Sequence, residues 1–174
     1  WVVIILDMKY HIWTEGCQMN VADSLRVASA LEHLGYHPTP RPEEAQVIVL
    51  NTCVVRQSAE DKAYGRLSSL RPLKAQRPDL VINLMGCLVG VKGYERLQKR
   101  FPYVDVFSPP SDPGPLIAYL TQGESQSLEQ EQTMQRFALM DGDLVLPENE
   151  TGKLVSSFVP VVLGCSHACT YCII

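Results

Sequence analysis

Residues 46–51 and 80–85 are almost unbroken runs of Val, Ile and Leu, and a stretch with helical spacing follows each. A strand that is apolar on both faces must be covered on both faces. That demand is met by parallel sheets, whose crossover connections lay helices on either side. Two further strands are expected at residues 8–14 and 104–107, with helices between them. The first helix has Asn20 or Asp23 as its cap and an apolar stripe of Leu25, Ala28, Leu31 and Leu34, and it ends at Gly35. Others are expected at 58–70, stopped by Pro72, at 93–100, stopped by Pro102, and at 114–121. The alternation predicts an α/β fold with a doubly wound parallel sheet of flavodoxin or Rossmann type over residues 8–121. No GxGxxG follows any strand, which argues against a dinucleotide-binding domain.

Beyond residue 121 the character changes. Residues 122–135 are rich in Gln, Glu and Ser, and 136–157 suit a short hairpin turning at Asp141-Gly142. Together, 122–157 read as a linker and hairpin. Residues 158–163 read as a strand that opens a further domain over 158–174. The longest apolar run near the start, residues 1–6, is too short to span a bilayer and lacks the features of a signal peptide, so a cytoplasmic location is expected. Residue 1 is Trp rather than Met, so the chain is expected to be a fragment or to begin upstream of the true start, with Met8 a natural initiator.

The net charge of −4 argues against a dedicated nucleic-acid binder, yet it is unevenly spread. Residues 122–157 carry seven acids against Arg136 and Lys153, whereas residues 56–100 carry ten bases against four acids. Such a distribution permits one basic face and an RNA partner without establishing either.

Six cysteines in a chain of this kind suggest metal, cluster or redox chemistry rather than disulfides. Cys17, Cys53 and Cys87 each lie just past the end of an expected strand. In a parallel sheet all such ends share one edge, where ligands bind, so three thiols converge there if their strands are neighbours. Three thiolates suit an iron–sulfur cluster with one iron free of protein ligation, and Gly16 and Gly86 let the backbone turn beside a bulky group. Zinc is the rival, with His11 or His37 as a fourth ligand. Cys165, Cys169 and Cys172 form CxxxCxxC, a spacing that holds three irons of a [4Fe-4S] cluster. A CxxC redox pair, or zinc on Cys165, His167, Cys169 and Cys172, are alternatives.

The CxxxCxxC spacing resembles the signature of the radical S-adenosylmethionine superfamily. The chain as a whole resembles the MiaB family of methylthiotransferases. The resemblance rests on Gly16-Cys17-Gln18-Met19-Asn20 with Asp23-Ser24, then on Asn51-Thr52-Cys53-Val54-Val55-Arg56 with Ala59 and Lys62. Met85-Gly86-Cys87, Pro102-Tyr103-Val104-Asp105 and Gly164-Cys165 through Cys172 complete it. Leu25 departs from the family, standing where an acidic residue is usual.

The resemblance implies two [4Fe-4S] clusters, an auxiliary one on Cys17, Cys53 and Cys87 and an S-adenosylmethionine-binding one on Cys165, Cys169 and Cys172. It implies a barrel beginning near residue 158 and tRNA as the partner. The implied reaction is methylthio transfer to isopentenyladenosine beside the anticodon, with Asn20, Asn51 and Arg56 lining the auxiliary site. A chain that stops two residues after Cys172 is then expected to be inactive alone. Branches acting on threonylcarbamoyladenosine or on a ribosomal protein remain open, as does a non-catalytic iron–sulfur or zinc-binding α/β module.

Overall fold

The computed structural model describes residues 7–55 and 57–121. The linker, hairpin and strand expected over 122–174 lie outside the described residues, as do Arg56, Cys165, His167, Cys169 and Cys172. Five parallel strands form one sheet: β1 (Lys9–Thr14), β2 (His37–Pro38), β3 (Val47–Thr52), β4 (Val81–Gly86) and β5 (Val106–Ser108). Their order is β2-β1-β3-β4-β5, the flavodoxin-like order. The helices are α1 (Gln18–His33), α2 (Gln57–Gln76), α3 (Cys87–Lys92), α4 (Tyr94–Arg100) and α5 (Gly114–Thr121), with a 3-10 turn at Pro42–Glu44.

Helices cover both faces, as the apolar runs demand. On one face Leu67 and Leu70 of α2, Leu88 of α3 and Leu97 of α4 pack on Ile48, Leu50, Ile82 and Leu84. On the other, Val27 and Leu31 of α1 and Leu116 of α5 pack on Val47, Val49, Met85 and Val106. Each such side chain contributes about 1.5–3 kcal/mol when fully buried. The doubly wound parallel sheet is therefore present.

Several details differ from expectation. Helix α2 does not stop at Pro72 but continues to Gln76. A proline deprives the carbonyl four residues earlier of its donor; here that residue, Ser68, is exposed and water can replace the bond. Beyond Pro72, Leu73 packs on the core and Lys74 reaches Asp105, so tertiary contacts hold the last turn. The two-residue β2 and six-residue α3 were too short to leave a periodic signal. Helix α1 is capped by neither Asn20 nor Asp23. Cys17 is its N-cap, and Asn20, three residues on, accepts the Cys17 backbone N–H at 3.1 Å. Gly35 does end it: its φ is +83°, and its N–H reaches Glu32 O at 2.9 Å.

The buried stripe of α1 is also rotated. Val27, Ala28 and Leu31 face the core while Leu25 and Leu34 are half-exposed. The same stripe continues toward the helix start as Asn20, Asp23 and Ser24, all buried. Leu25 instead borders an open groove beside β1, with Ile12, Thr14, Val21 and Pro38. Among the described residues no helix is long and apolar enough to cross a membrane.

Candidate functional site

Strand order decides whether the three cysteines of the first set meet. β1, β3 and β4 are consecutive neighbours, with Thr14 opposite Asn51 and Thr52 opposite Gly86. Cys53 and Cys87 directly follow that last pair, and Cys17 lies three residues past Thr14. All three thus stand at the carboxyl edge, beside the point where the chain direction of winding reverses between β1 and β3. They differ in access: Cys17 is exposed, Cys87 half-buried and Cys53 buried.

The loops carrying them touch. A Cβ on Gly16 would lie 2.7 Å from Cys53 Cβ, and one on Gly86 would lie 2.4 Å from Thr52 O. The φ angles of +152° and +99° at these positions also favour glycine. The backbone can therefore bring Cys17 beside Cys53, and Cys87 beside Cys53, only because these two residues lack side chains.

A buried hydrogen-bond web ties the same loops. Asn20 Nδ2 donates to Asn51 Oδ1 at 2.9 Å and to Thr52 O at 3.1 Å. Asn51 Nδ2 donates to Asn20 O at 2.8 Å and to Ser24 Oγ at 3.0 Å, and Ser24 Oγ meets Thr14 Oγ1 at 2.7 Å. Thr52 Oγ1 donates to Met85 O at 2.7 Å. The Asn20 side-chain oxygen Oδ1 accepts the Cys17 N–H and lies 3.4 Å from Cys17 Sγ. Every donor of Asn20 and Asn51 is spent within the protein, so these residues hold the cysteine loops in place rather than offering donors to a ligand.

Asp23 makes a second tie that the sequence did not reveal. Its carboxylate accepts Ser111 Oγ at 2.8 Å and Ser111 N–H at 3.2 Å, and Arg26 lies 3.6 Å away. Ser111 sits between β5 and α5 with a φ of +61°. Burial pushes the Asp23 carboxyl up, against the lowering effects of the Ser111 bonds and Arg26. The readable signal was polar spacing: Asn20, Asp23 and Ser24 continue the stripe of Val27, Ala28 and Leu31.

The Cys87 thiol is pushed up by burial first, then by Cys53, Cys17 and Asp23. Three thiolates at this edge repel one another and call for a cation among them. In an iron–sulfur cluster each thiolate ligates its own iron, so the three need not meet at one point. A single zinc requires that its ligands do. Among the described residues no three His, Cys, Asp or Glu side chains are gathered tightly enough for one ion. Neither histidine considered for zinc is at this edge. His37 stands opposite Lys9 at the amino end of β1, and His11 is in mid-strand with Nδ1 2.8 Å from Thr39 O. The donor set fits a cluster better than a lone zinc.

Comparison with known proteins bears on the same residues. Residues 9–108 match the family described as Uncharacterized protein family UPF0004. Three proteins described as tRNA-2-methylthio-N(6)-dimethylallyladenosine synthase are similar to the chain. That of Roseiflexus sp. (strain RS-1) is 38% identical over 97% of this chain and 33% of its own length. Those of Herpetosiphon aurantiacus and Chloroflexus aurantiacus are each 39% identical, over 95% and 97% of this chain and 35% and 33% of their own lengths. The chain spans about a third of the length of these relatives.

Proposed function

The chain belongs to the UPF0004 family, and on that premise we propose that it is the cluster-bearing amino-terminal part of a tRNA methylthiotransferase. It is related to proteins named as methylthio-dimethylallyladenosine synthases of tRNA. Dimethylallyladenosine, the same nucleoside as isopentenyladenosine, is accordingly the proposed substrate. The reading rests above all on Cys17, Cys53 and Cys87 at the ends of three neighbouring strands.

Those three cysteines are the proposed ligands of an auxiliary [4Fe-4S] cluster, and Cys165, Cys169 and Cys172 of a second, which binds S-adenosylmethionine. When bound, the auxiliary cluster supplies an iron free of protein ligation, at which sulfur is held for transfer. The protein's share is positional. Asn20 and Asn51 lock α1 to the end of β3, and Thr52 locks β3 to β4, so the three thiols keep a fixed spread. Gly16 and Gly86 keep the loops close. The exposure of Cys17 leaves one side of the edge open to a reactant. A cytoplasmic location accords with chemistry that needs reduced thiols.

Anaerobic reconstitution with iron and sulfide tests the reading. About four irons per chain should be lost when Cys17, Cys53 and Cys87 are all replaced by Ala, and should persist when Cys165, Cys169 and Cys172 are replaced instead. Zinc at about one per chain without iron–sulfur absorbance would overturn the cluster in favour of a structural metal module.

A further inference from the structure

The two helical layers carry different charge. Helices α2, α3 and α4 hold eight basic residues against Glu60, Asp61 and Glu95, whereas α1 and α5 hold Arg26 against Asp23 and Glu32. The acids of the basic layer are largely spent. Glu60 is buried against Lys92 Nζ at 3.0 Å and the Tyr64 hydroxyl at 2.9 Å, and Asp61 accepts the Gln57 amide at 3.0 Å.

Arg66 lies over the Trp13 ring at 4.7 Å, and four further cations of this layer gather elsewhere. Arg71, Arg96, Lys99 and Arg100 are exposed, and none makes an ion pair or side-chain hydrogen bond among the described residues. Arg96, Lys99 and Arg100 fall at i, i+3 and i+4, on one face of α4. The Arg100 guanidinium lies over the Tyr64 ring, 3.9 Å from its centroid, and that ring stacks on Phe101 at 5.7 Å. Tyr64 is itself anchored by its bond to Glu60. Arg96 and Arg100 act electrostatically on Tyr64, and Arg71 acts on Tyr103, so the cations gather around two half-buried tyrosines.

A guanidinium lying over a ring without a hydrogen-bond partner keeps its N–H donors available. That is a geometry ready for two oxygens of a phosphate. Cations interleaved with aromatic faces suit a polyanion whose bases can also stack. We propose that the α2–α4 face, centred on Arg71, Arg96, Lys99 and Arg100 with Tyr64 and Tyr103, binds the phosphate backbone of RNA. The inference rests on the tRNA reading above for its choice of RNA among polyanions. Helix α2 starts just after Cys53 and α4 lies just beyond α3, which starts at Cys87. The basic face thus begins near the cysteine edge and extends toward the opposite end of the sheet, where Arg71 lies one turn before Lys74.

The test is fluorescence anisotropy of a labelled RNA hairpin titrated with the full chain over a range of salt. The Arg96→Ala/Arg100→Ala double variant should bind on the order of tenfold or more weakly near 0.1 M salt, with a log–log salt slope shallower by roughly 1.4–1.8. A Lys9→Ala/Arg41→Ala double variant, matched in charge but removing cations that already pair with Glu44, should bind as the parent does. Should the first variant not fold by circular dichroism, Arg71→Glu/Lys99→Glu alters side chains without hydrogen-bond or ion-pair partners and should weaken binding likewise. The proposal is overturned if the parent binds no RNA, if the patch variants match it, or if it binds phosphatidylserine vesicles and not RNA. Iron content reads the cluster independently, so a chain that loads iron and ignores RNA fails only this inference.

Discussion

Asn20 and Asn51 bond to each other twice in opposite senses. The Asn20 amide donates to the Asn51 side-chain oxygen at 2.9 Å, and the Asn51 amide donates to the Asn20 main-chain oxygen at 2.8 Å. Both residues are buried, so the pair fastens the helix after Cys17 to the strand before Cys53 without help from water. Replacing Asn51 with Ala leaves one Asn20 amide hydrogen without its acceptor and removes the donors to Asn20 O and Ser24 Oγ. Each buried group left unpaired costs about 1–3 kcal/mol. Asn51→Ala should lower the urea midpoint by an amount equivalent to roughly 2–4 kcal/mol at unchanged m-value, and reduce iron loading in step. Full loading at wild-type stability would show that the web does not set the cysteine geometry.

Two glycines with opposite surroundings make a paired prediction. A Cβ at Gly86 would meet Thr52 O at 2.4 Å and Asn51 Oδ1 at 2.7 Å, on a backbone with φ of +99°. Gly65 lies inside α2 with nothing within 4 Å of such a Cβ. Gly86→Ala should therefore destabilise by about 2 kcal/mol or more, while Gly65→Ala should stabilise by about 0.5–1 kcal/mol. Thermal midpoints moving in opposite directions is the expected result, and a shared direction would contradict the geometry.

What could be read from sequence, and what could not, follows from how far each signal reaches. The strands were legible because β3 and β4 bury apolar side chains on both faces, Ile48, Leu50, Ile82 and Leu84 on one and Val47, Val49 and Met85 on the other, with only Asn83 breaking the apolar run inside β4. The cysteine edge was legible because each thiol follows a strand. The register that makes β1, β3 and β4 neighbours depends on tertiary pairing that local patterns do not record. The stripe of α1 was misplaced because its inner face near the cysteines is polar: Asn20, Asp23 and Ser24 are buried for their hydrogen bonds, and a search for apolar periodicity passes over them. The sequence predicts a stop at Pro72 because it does not show that Lys74 meets Asp105, far along the chain.

Asp23 gives the pH dependence. Its folded-state value is raised, chiefly by burial, above the ordinary 3.8. The native state therefore binds this proton more tightly than the unfolded chain. The associated stabilisation is complete below the ordinary value and lost as pH rises through the raised one. Asp23→Asn, whose amide can still bond Ser111 once the hydroxyl turns to accept, removes that loss. The stability of the variant relative to the parent should rise from below pH 3.8 upward and then level off. Urea midpoints of both proteins over that range check it; a parallel pair of curves would mean that Asp23 does not titrate differently on folding.

Lys74 and Asp105 close the sheet at the end away from the cysteines. Lys74 Nζ lies 2.9 Å from both Asp105 oxygens and also bonds to Leu80 O, and Asp105 Oδ2 accepts the Ile82 N–H at 2.8 Å. Both side chains are mostly buried, at 16% and 17% exposure, so screening is weak and a lone survivor is costly. Asp105→Ala leaves an ammonium with only carbonyl partners and orphans the Ile82 N–H, and should cost about 3 kcal/mol. Lys74→Met keeps the Ile82 bond and the packing of the side-chain stem, and should cost less. The double variant should recover part of the sum, with a coupling of about 1–3 kcal/mol. Iron loading should stay unchanged in all three, because the pair acts on stability and not on the cysteine edge. A loss of iron beyond the unfolded fraction would tie this pair to the site after all.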